Sequence, residues 1–199
     1  LLLAEAAPRA DRRAGLPDSC FLRGKVPMTK QEVRAVISAK LAVTPEETAW
    51  DVGAGTGSVS VELSGQARRV YAVECGAEAC ELIRQNRARF CAWNLTLTEG
   101  RAPEALAALP PPDAVFIGGT NGEMAAVIRA ALAKNPAVRF CISAIALETL
   151  SAASAALDAN GIRAEVTQIA VSRSKPAGTL RLLLANNPVF LITGQGDNT

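Results

Sequence analysis

The stretch AWDVGAGTGSV at residues 49–59 sets an acid, Asp51, just before a loop of Gly53, Ala54, Gly55, Thr56 and Gly57. Glycine at positions 53 and 55 lets a backbone turn sharply and approach a ligand with no side chain between them. Gly57 would let a following helix pack close to the strand before the loop. About 20 residues further on, Glu74 closes another apolar run, the separation at which a carboxylate reaches both hydroxyls of a ribose. A later loop, EGRAPEA, with Arg101 and Ala102, would lie against an adenine. Together these residues point to an adenosine-containing ligand.

Two ligand classes share that geometry. Dinucleotides are held by G-x-G-x-x-G, with the pyrophosphate on a helix N-terminus. Here the glycines run G-x-G-x-G, and Ser58 stands in the place of the last glycine. Asp51 would repel a pyrophosphate and attract a cationic sulfonium and an amino group. S-adenosyl-L-methionine, with S-adenosyl-L-homocysteine as its product, is the better match. Two structural readings stand beside it: glycine-rich turns also occur without a ligand, and Asp51 can cap backbone amides.

Such residues converge where parallel strands end on one edge of a sheet. Apolar runs of strand type occur in TAWDVG, RVYAVE, LTLTEG, DAVFIGG and VRFCISAIAL. Helical stripes separate them. Val33, Val36, Ile37 and Leu41 form the first, with Pro27 and Thr29 as start signals. Ala79, Leu82, Ile83 and Phe90 form one through 77–91, and Met124, Val127, Ile128, Ala131 and Leu132 one through 122–133. Residues 151–159 are helical by composition and close on Asn160-Gly161. The segment SVSVEL at 58–63 alternates like a strand, yet a right-handed crossover to the next parallel strand requires a helix there, and a helix is predicted. RAEVTQIAV, TLRLLLA and VFLIT predict three closing strands, with SRSKPAG as a loop able to close over the site. The expected fold class is α/β: a three-layer, Rossmann-like sandwich whose mostly parallel sheet carries antiparallel strands at its C-terminal edge.

Composition narrows the chemistry. The chain of 199 residues suits one domain, expected over 16–199, with residues 1–15 as a linker or the remnant of a preceding domain. A net charge of +2 and 4% aromatics give no sign of a nucleic-acid partner, and no apolar run is long enough for a membrane span. Histidine is absent, which removes the commonest general base. The five cysteines lack zinc-site spacing, so no metal is expected, and they read as small apolar residues of a cytoplasmic protein.

The glycine loop resembles the first motif of the class I S-adenosylmethionine-dependent methyltransferases. A closer likeness covers almost the whole chain. GLPDSCF, VPMTKQEVRAV, WDVGAGTGSVSVEL, EGRAPEAL, DAVFIGGTNGE, AIALET and NNPVFLITG occur in an order similar to that of the decarboxylating precorrin C15-methyltransferases. That family includes the C-terminal half of precorrin-6Y C5,15-methyltransferase. The resemblance implies methylation of carbon 15 of a precorrin tetrapyrrole in cobalamin biosynthesis, with decarboxylation of the acetate on carbon 12. It implies cofactor contacts from Thr29, the loop at 53–57, Glu74 and the Ala102 region. A homotetramer and an upstream methyltransferase domain are implied as well. Arg101 departs from the acid that many class I enzymes carry after the third strand. A methyltransferase acting on protein or RNA, a non-catalytic scaffold subunit of the same fold, and an NAD-dependent oxidoreductase are the alternatives.

A precorrin is a large flat substrate with several carboxylates and an electron-rich carbon of its own, so a strong protein base is not obligatory. Cations suited to those carboxylates are Arg23, Lys25, Lys30, Arg101, Arg173, Lys175 and Arg181. Taken singly, each reads more readily as a solvated surface charge. Asn121, Glu123 and Glu148 are substrate-side candidates, with capping the following helix, complementing its dipole and starting a helix as their respective structural roles.

Overall fold

All five residues of β1 (Thr48–Val52) are buried, as the middle of a parallel sheet requires. Successive side chains point to opposite faces, so Ala49 and Asp51 face one way and Trp50 and Val52 the other. Each face has its own core. The computed structural model describes residues 14–197, so the linker expected over 1–15 lies, apart from its last two residues, outside the described residues.

The remaining strands are β2 (Arg69–Glu74), β3 (Leu95–Glu99), β4 (Ala114–Ile117), β5 (Arg139–Ala144), β6 (Glu165–Ile169), β7 (Ser172–Ala177), β8 (Leu180–Ala185) and β9 (Val189–Gln195). The helices are α1 (Gln31–Leu41), α2 (Ser58–Ser64), α3 (Ala77–Arg89), α4 (Met124–Lys134) and α5 (Leu147–Asp158). Seven strands form one sheet in the order β3-β2-β1-β4-β5-β9-β6. The first five are parallel, and β9 runs antiparallel to both β5 and β6. Ile37, Leu41, Val59, Leu63 and Ile83 from α1, α2 and α3 pack on one face with Ala49, Val70 and Phe116. Met124, Val127, Ile128, Ala153 and Leu157 from α4 and α5 pack on the other with Trp50, Val52 and Ile142. The three-layer α/β sandwich expected from the sequence is therefore present, antiparallel edge included.

The segment at 58–63 is helical, as the crossover rule requires, and every residue of α2 is buried. Period-two alternation failed as a signal there because a short helix with no solvent face need show no 3.6-residue stripe. α5 begins at Leu147 instead of 151, and β5 ends at Ala144, short of the expected 147. The run AIAL is apolar enough for either state, and β5 stops where its pairing with β9 stops.

Two expectations need correction. SRSKPAG is no loop: β7 pairs antiparallel with β8 in a separate two-stranded ribbon. Its residues are almost all exposed, so no burial pattern marks it in the sequence. The start of α1 is not a local signal either. Its N-cap Lys30 makes no side-chain bond, and the Gln31 amide instead donates to Asp18 Oδ1 at 2.9 Å.

Cys141, on β5, lies wholly in the first core, where burial pushes its thiol up to about 12, in keeping with an apolar role. Among the described residues no helix is long and apolar enough to cross a membrane.

Candidate active site

The order of the parallel strands reverses between β1 and β4, and ligands of such sheets bind beyond the strand ends at that point. Two cavities open there, of about 320 and 480 Å³, a size suited to a small-molecule ligand. They meet at Gly53 and Glu74, which line both. The first continues past Gly100, Arg101 and Ala102 to Asn121 and Glu123. The second runs along Ala54, Gly55 and Thr56 to Thr29 and Lys30 on one side and Ser143, Ile145 and Asn187 on the other. The cofactor-side residues read from the sequence are thus brought together, apart from Asp51 and Gly57, which line neither cavity.

The glycine loop is held from below by β2: Gly53 and Ala54 donate to the Val73 carbonyl at 2.9 and 3.2 Å. Gly53 has φ +70°, and a Cβ there would lie within 2.8 Å of Gly119 N and closer still to the Gly119 carbonyl oxygen. This glycine lets two loops touch backbone to backbone. At Gly57, φ +73°, a Cβ would meet Ile83 Cγ1 at 3.0 Å. The close approach expected between α2 and the strand is instead one between the loop and α3.

Glu74 already holds the loop. Its Oε2 accepts the Gly55 amide at 2.9 Å, and its Oε1 accepts the Cys75 and Gly76 amides, each at 2.8 Å. A carboxylate offers about four acceptor positions, so room remains for a ligand hydroxyl.

Asp51 is fully buried, and its Oδ2 accepts the Ser60 hydroxyl of α2. Its Oδ1 has no partner, and neither has the buried Thr56 hydroxyl within the loop. Desolvation pushes the Asp51 carboxyl up to about 7, against the Ser60 hydrogen bond and with a smaller contribution from the Glu74 charge. A native pKa above the unfolded value means that the native state binds the extra proton between the two. Stability should therefore fall as pH rises from about 4 to about 7 and then level off. Asp18, Glu32 and Glu47 shift the opposite way, but their contributions change below their ordinary values of 3.8 to 4.5. With no histidine in the chain, Asp51 dominates the window above pH 5. Urea unfolding should show the wild type losing roughly 2–3 kcal/mol between pH 5 and pH 8. The Asp51→Asn variant should lose little, and equal losses in the two proteins would refute the assignment.

The substrate-side candidates divide. Asn121 lines the first cavity in a left-handed conformation (φ 50°) and does not cap α4. Glu123 is the N-cap residue of α4 but makes no capping bond. Glu148 lies exposed in the first turn of α5 and lines neither cavity, which agrees with its helix-start role. Arg23 and Lys25 are exposed and also line neither, whereas Lys30 lines the second. Lys175 and Arg181 stand exposed on the ribbon. The Arg173 guanidinium is occupied by Glu32 and Asp18, the protein's own carboxylates.

Sequence reasoning missed Ser143, Ile145, Asn186 and Asn187, all of which line the second cavity. The Asn-Asn-Pro run before β9 was their one visible signal, since it breaks two strand-like segments where the sheet edge must bend back.

Comparison with known proteins agrees with this geometry. A family model described as a precorrin methyltransferase domain matches residues 18–194. A cobalt-precorrin-6B C(15)-methyltransferase (decarboxylating) of Salmonella typhimurium is 38% identical over 185 residues, covering 90% of this chain and 95% of its own. The crystal structure of a precorrin 8W decarboxylase from Methanobacterium thermoautotrophicum superposes with a TM-score of 0.87 at 36% identity, covering 90% of this chain and 98% of the other. The C-terminal domain of precorrin-6Y C5,15-methyltransferase from Rhodobacter capsulatus gives a TM-score of 0.82 at 32% identity, covering 94% of this chain and all (100%) of that domain.

Proposed function

We infer, since this chain belongs to the precorrin methyltransferase family, that its domain over 16–199 methylates carbon 15 of a precorrin with S-adenosyl-L-methionine and decarboxylates the acetate on carbon 12. The observation that carries the reading is the junction of the two cavities. There the glycine loop and Glu74 form a shared wall between a nucleoside-sized space and a larger, more apolar one.

The residues present fit the cofactor. Glu74 keeps acceptor capacity for a ribose hydroxyl, beside an adenine space bounded by Gly100, Arg101 and Ala102. The unpartnered Thr56 hydroxyl and Asp51 oxygen lie at the loop that would hold the amino-acid end. When bound, the cofactor supplies a methyl group on a positively charged sulfur. What the chain does is hold, orient and exclude water. Asp51 lines neither cavity, so its charge when ionised would act on a bound cation through the loop and not by contact, in a buried setting where that attraction is strong. Phe116, Ile145 and Val189 give the second cavity an apolar lining suited to a flat macrocycle, and Lys30 offers its carboxylates a charge.

β8 exposes Leu180, Leu182, Leu183 and Leu184 at 67, 50, 74 and 46%, an apolar surface that supports a homo-oligomer, the tetramer of the resemblance. An upstream methyltransferase domain in the full-length chain is supported by the Rhodobacter relative being a C-terminal domain. The five free thiols are in keeping with a cytoplasmic setting.

Cofactor binding tests the proposal first. S-adenosyl-L-homocysteine at 100 times its dissociation constant should add about 2.7 kcal/mol of stability, a rise of roughly 5–10 °C in melting temperature, and NAD none. Glu74→Ala leaves the Gly55 amide without its acceptor and should weaken binding by about 10–100-fold. A rise with NAD alone would point to an oxidoreductase, and no rise with either to a scaffold subunit. With binding established, turnover of a precorrin distinguishes this substrate from protein or RNA.

A further inference from the structure

Three donors from two elements, α1 and β7, meet on the Asp18 carboxylate. Oδ1 accepts the Gln31 amide and Arg34 Nη1, both at 2.9 Å, and Oδ2 accepts Arg173 Nη1 at 2.8 Å. The same Arg173 forks onto Glu32, with Nε to Oε1 at 3.0 Å and Nη2 to Oε2 at 2.5 Å. Burial works against charge on Asp18, yet Arg173 and Arg34 hold its carboxyl below the usual range. Arg34 also donates to the Thr29 carbonyl, one residue before Lys30 in the wall of the second cavity.

Arg173 belongs to the ribbon, and the ribbon's base forms the opposite wall. β8 runs directly into Asn186 and Asn187, and the Asn186 amide closes the base by donating to Val171 at 2.9 Å. A chain of contacts therefore links two parts of the lining of the second cavity. It leads from Thr29 and Lys30 through Asp18 and Glu32 to Arg173, and from there through Val171 to Asn186.

We propose that Arg173 is a positioning residue: by bridging Asp18 and Glu32 to the base of the ribbon, it fixes the separation of the two walls of the second cavity. It thereby sets affinity for whatever part of a ligand extends past the glycine loop. The proposal rests on the cofactor reading above and takes the nucleoside to fill the first cavity, with the amino-acid arm entering the second at Gly55 and Thr56, beside the space given to the macrocycle.

The exposure of the partners separates this role from simple stabilisation. Arg173 and Glu32 are 39 and 41% exposed, and pairs so exposed add little to folding stability; Asp18, at 17%, keeps its bond to Arg34 when Arg173 is removed. A forked guanidinium, however, fixes direction as well as distance. Its loss should change binding geometry more than melting temperature.

Two nucleosides divide the site. S-adenosyl-L-homocysteine has the amino-acid arm, and 5′-methylthioadenosine lacks it. Titration calorimetry of Arg173→Met should show about fivefold weaker binding of the first and unchanged binding of the second, at nearly unchanged melting temperature. Glu32→Gln should shift binding in the same sense by less, and Arg173→Lys should recover part of the loss. Equal weakening of both nucleosides would make the contact merely structural and overturn the proposal, as would no weakening of either. A wild type that binds neither nucleoside would overturn the cofactor reading, and this proposal with it.

Discussion

Arg34→Met is expected to cost about 4 kcal/mol of folding stability, a fall of roughly 10 °C in melting temperature. The Arg34 side chain is fully buried at 0% exposure, and so is that of its partner Glu62, to which Nε donates at 2.7 Å. Its remaining donors reach Asp18 and the carbonyls of Thr29 and Leu16, and its guanidinium lies 4.6 Å from the Phe21 ring centroid. Methionine keeps much of the volume and removes the charge. Among the described residues, Glu62 is then left buried with the Gly15 and Leu16 amides, at 2.8 and 3.1 Å, to compensate it. Breaking a buried pair from one side is expensive for that reason, whereas removing both charges is not. The double variant Arg34→Met/Glu62→Met should therefore be more stable than the single one. Chemical denaturation of the three proteins tests this, and a single-variant loss below about 1 kcal/mol would show the pair to be hydrated.

Gly53→Ala should cost about 2–3 kcal/mol and weaken S-adenosyl-L-homocysteine binding by at least about 100-fold. Its φ of +70° disfavours any Cβ, and the added methyl would collide with backbone atoms of Gly119, which no rotamer can move aside. To make room, the loops after β1 and β4 must separate where the two cavities join. Gly119→Ala provides the control, because a Cβ there meets nothing within 4 Å. Chemical denaturation should find the Gly119 variant near wild type in stability, the comparison being one of folding because Gly119 itself lines the first cavity. If the two alanines behaved alike, backbone contact between the loops would not be what shapes the site.

The parts of this molecule that were legible in the sequence share a physical cause. β1, β2, β4 and β5 are buried strands, so their apolar runs announce them, and the loops that follow inherit their positions. α2 was legible only through topology, because its seven residues are all buried and local pattern favoured a strand. The ribbon was half legible: TLRLLLA reads as a strand and is β8, but β7 buries almost nothing and carries no hydrophobic periodicity, so it reads as a loop. Asp51 was found by its place before the glycines, but its partner was not foreseen. The Ser60 hydroxyl reaches it from one helical turn into α2, on the same face of the sheet. Arg34 passed unnoticed within an amphipathic stripe, because the acid that explains it lies 28 residues away. Long-range ion pairs leave no periodic trace, and here they hold the walls of the site.

The place of β9 has a consequence for how the chain is made. It lies between β5 and β6, yet follows both in sequence, and among the described residues β6 pairs with no other strand. A ribosome therefore delivers β6, and then the whole ribbon, before the strand that joins β6 to the rest has been synthesised. Until residues 189–195 emerge, β5 presents an open edge carrying Phe140, Cys141 and Ile142, the kind of surface that recruits other chains. Shortening the protein to just before Val189 would remove one strand from the gene product but two from the sheet.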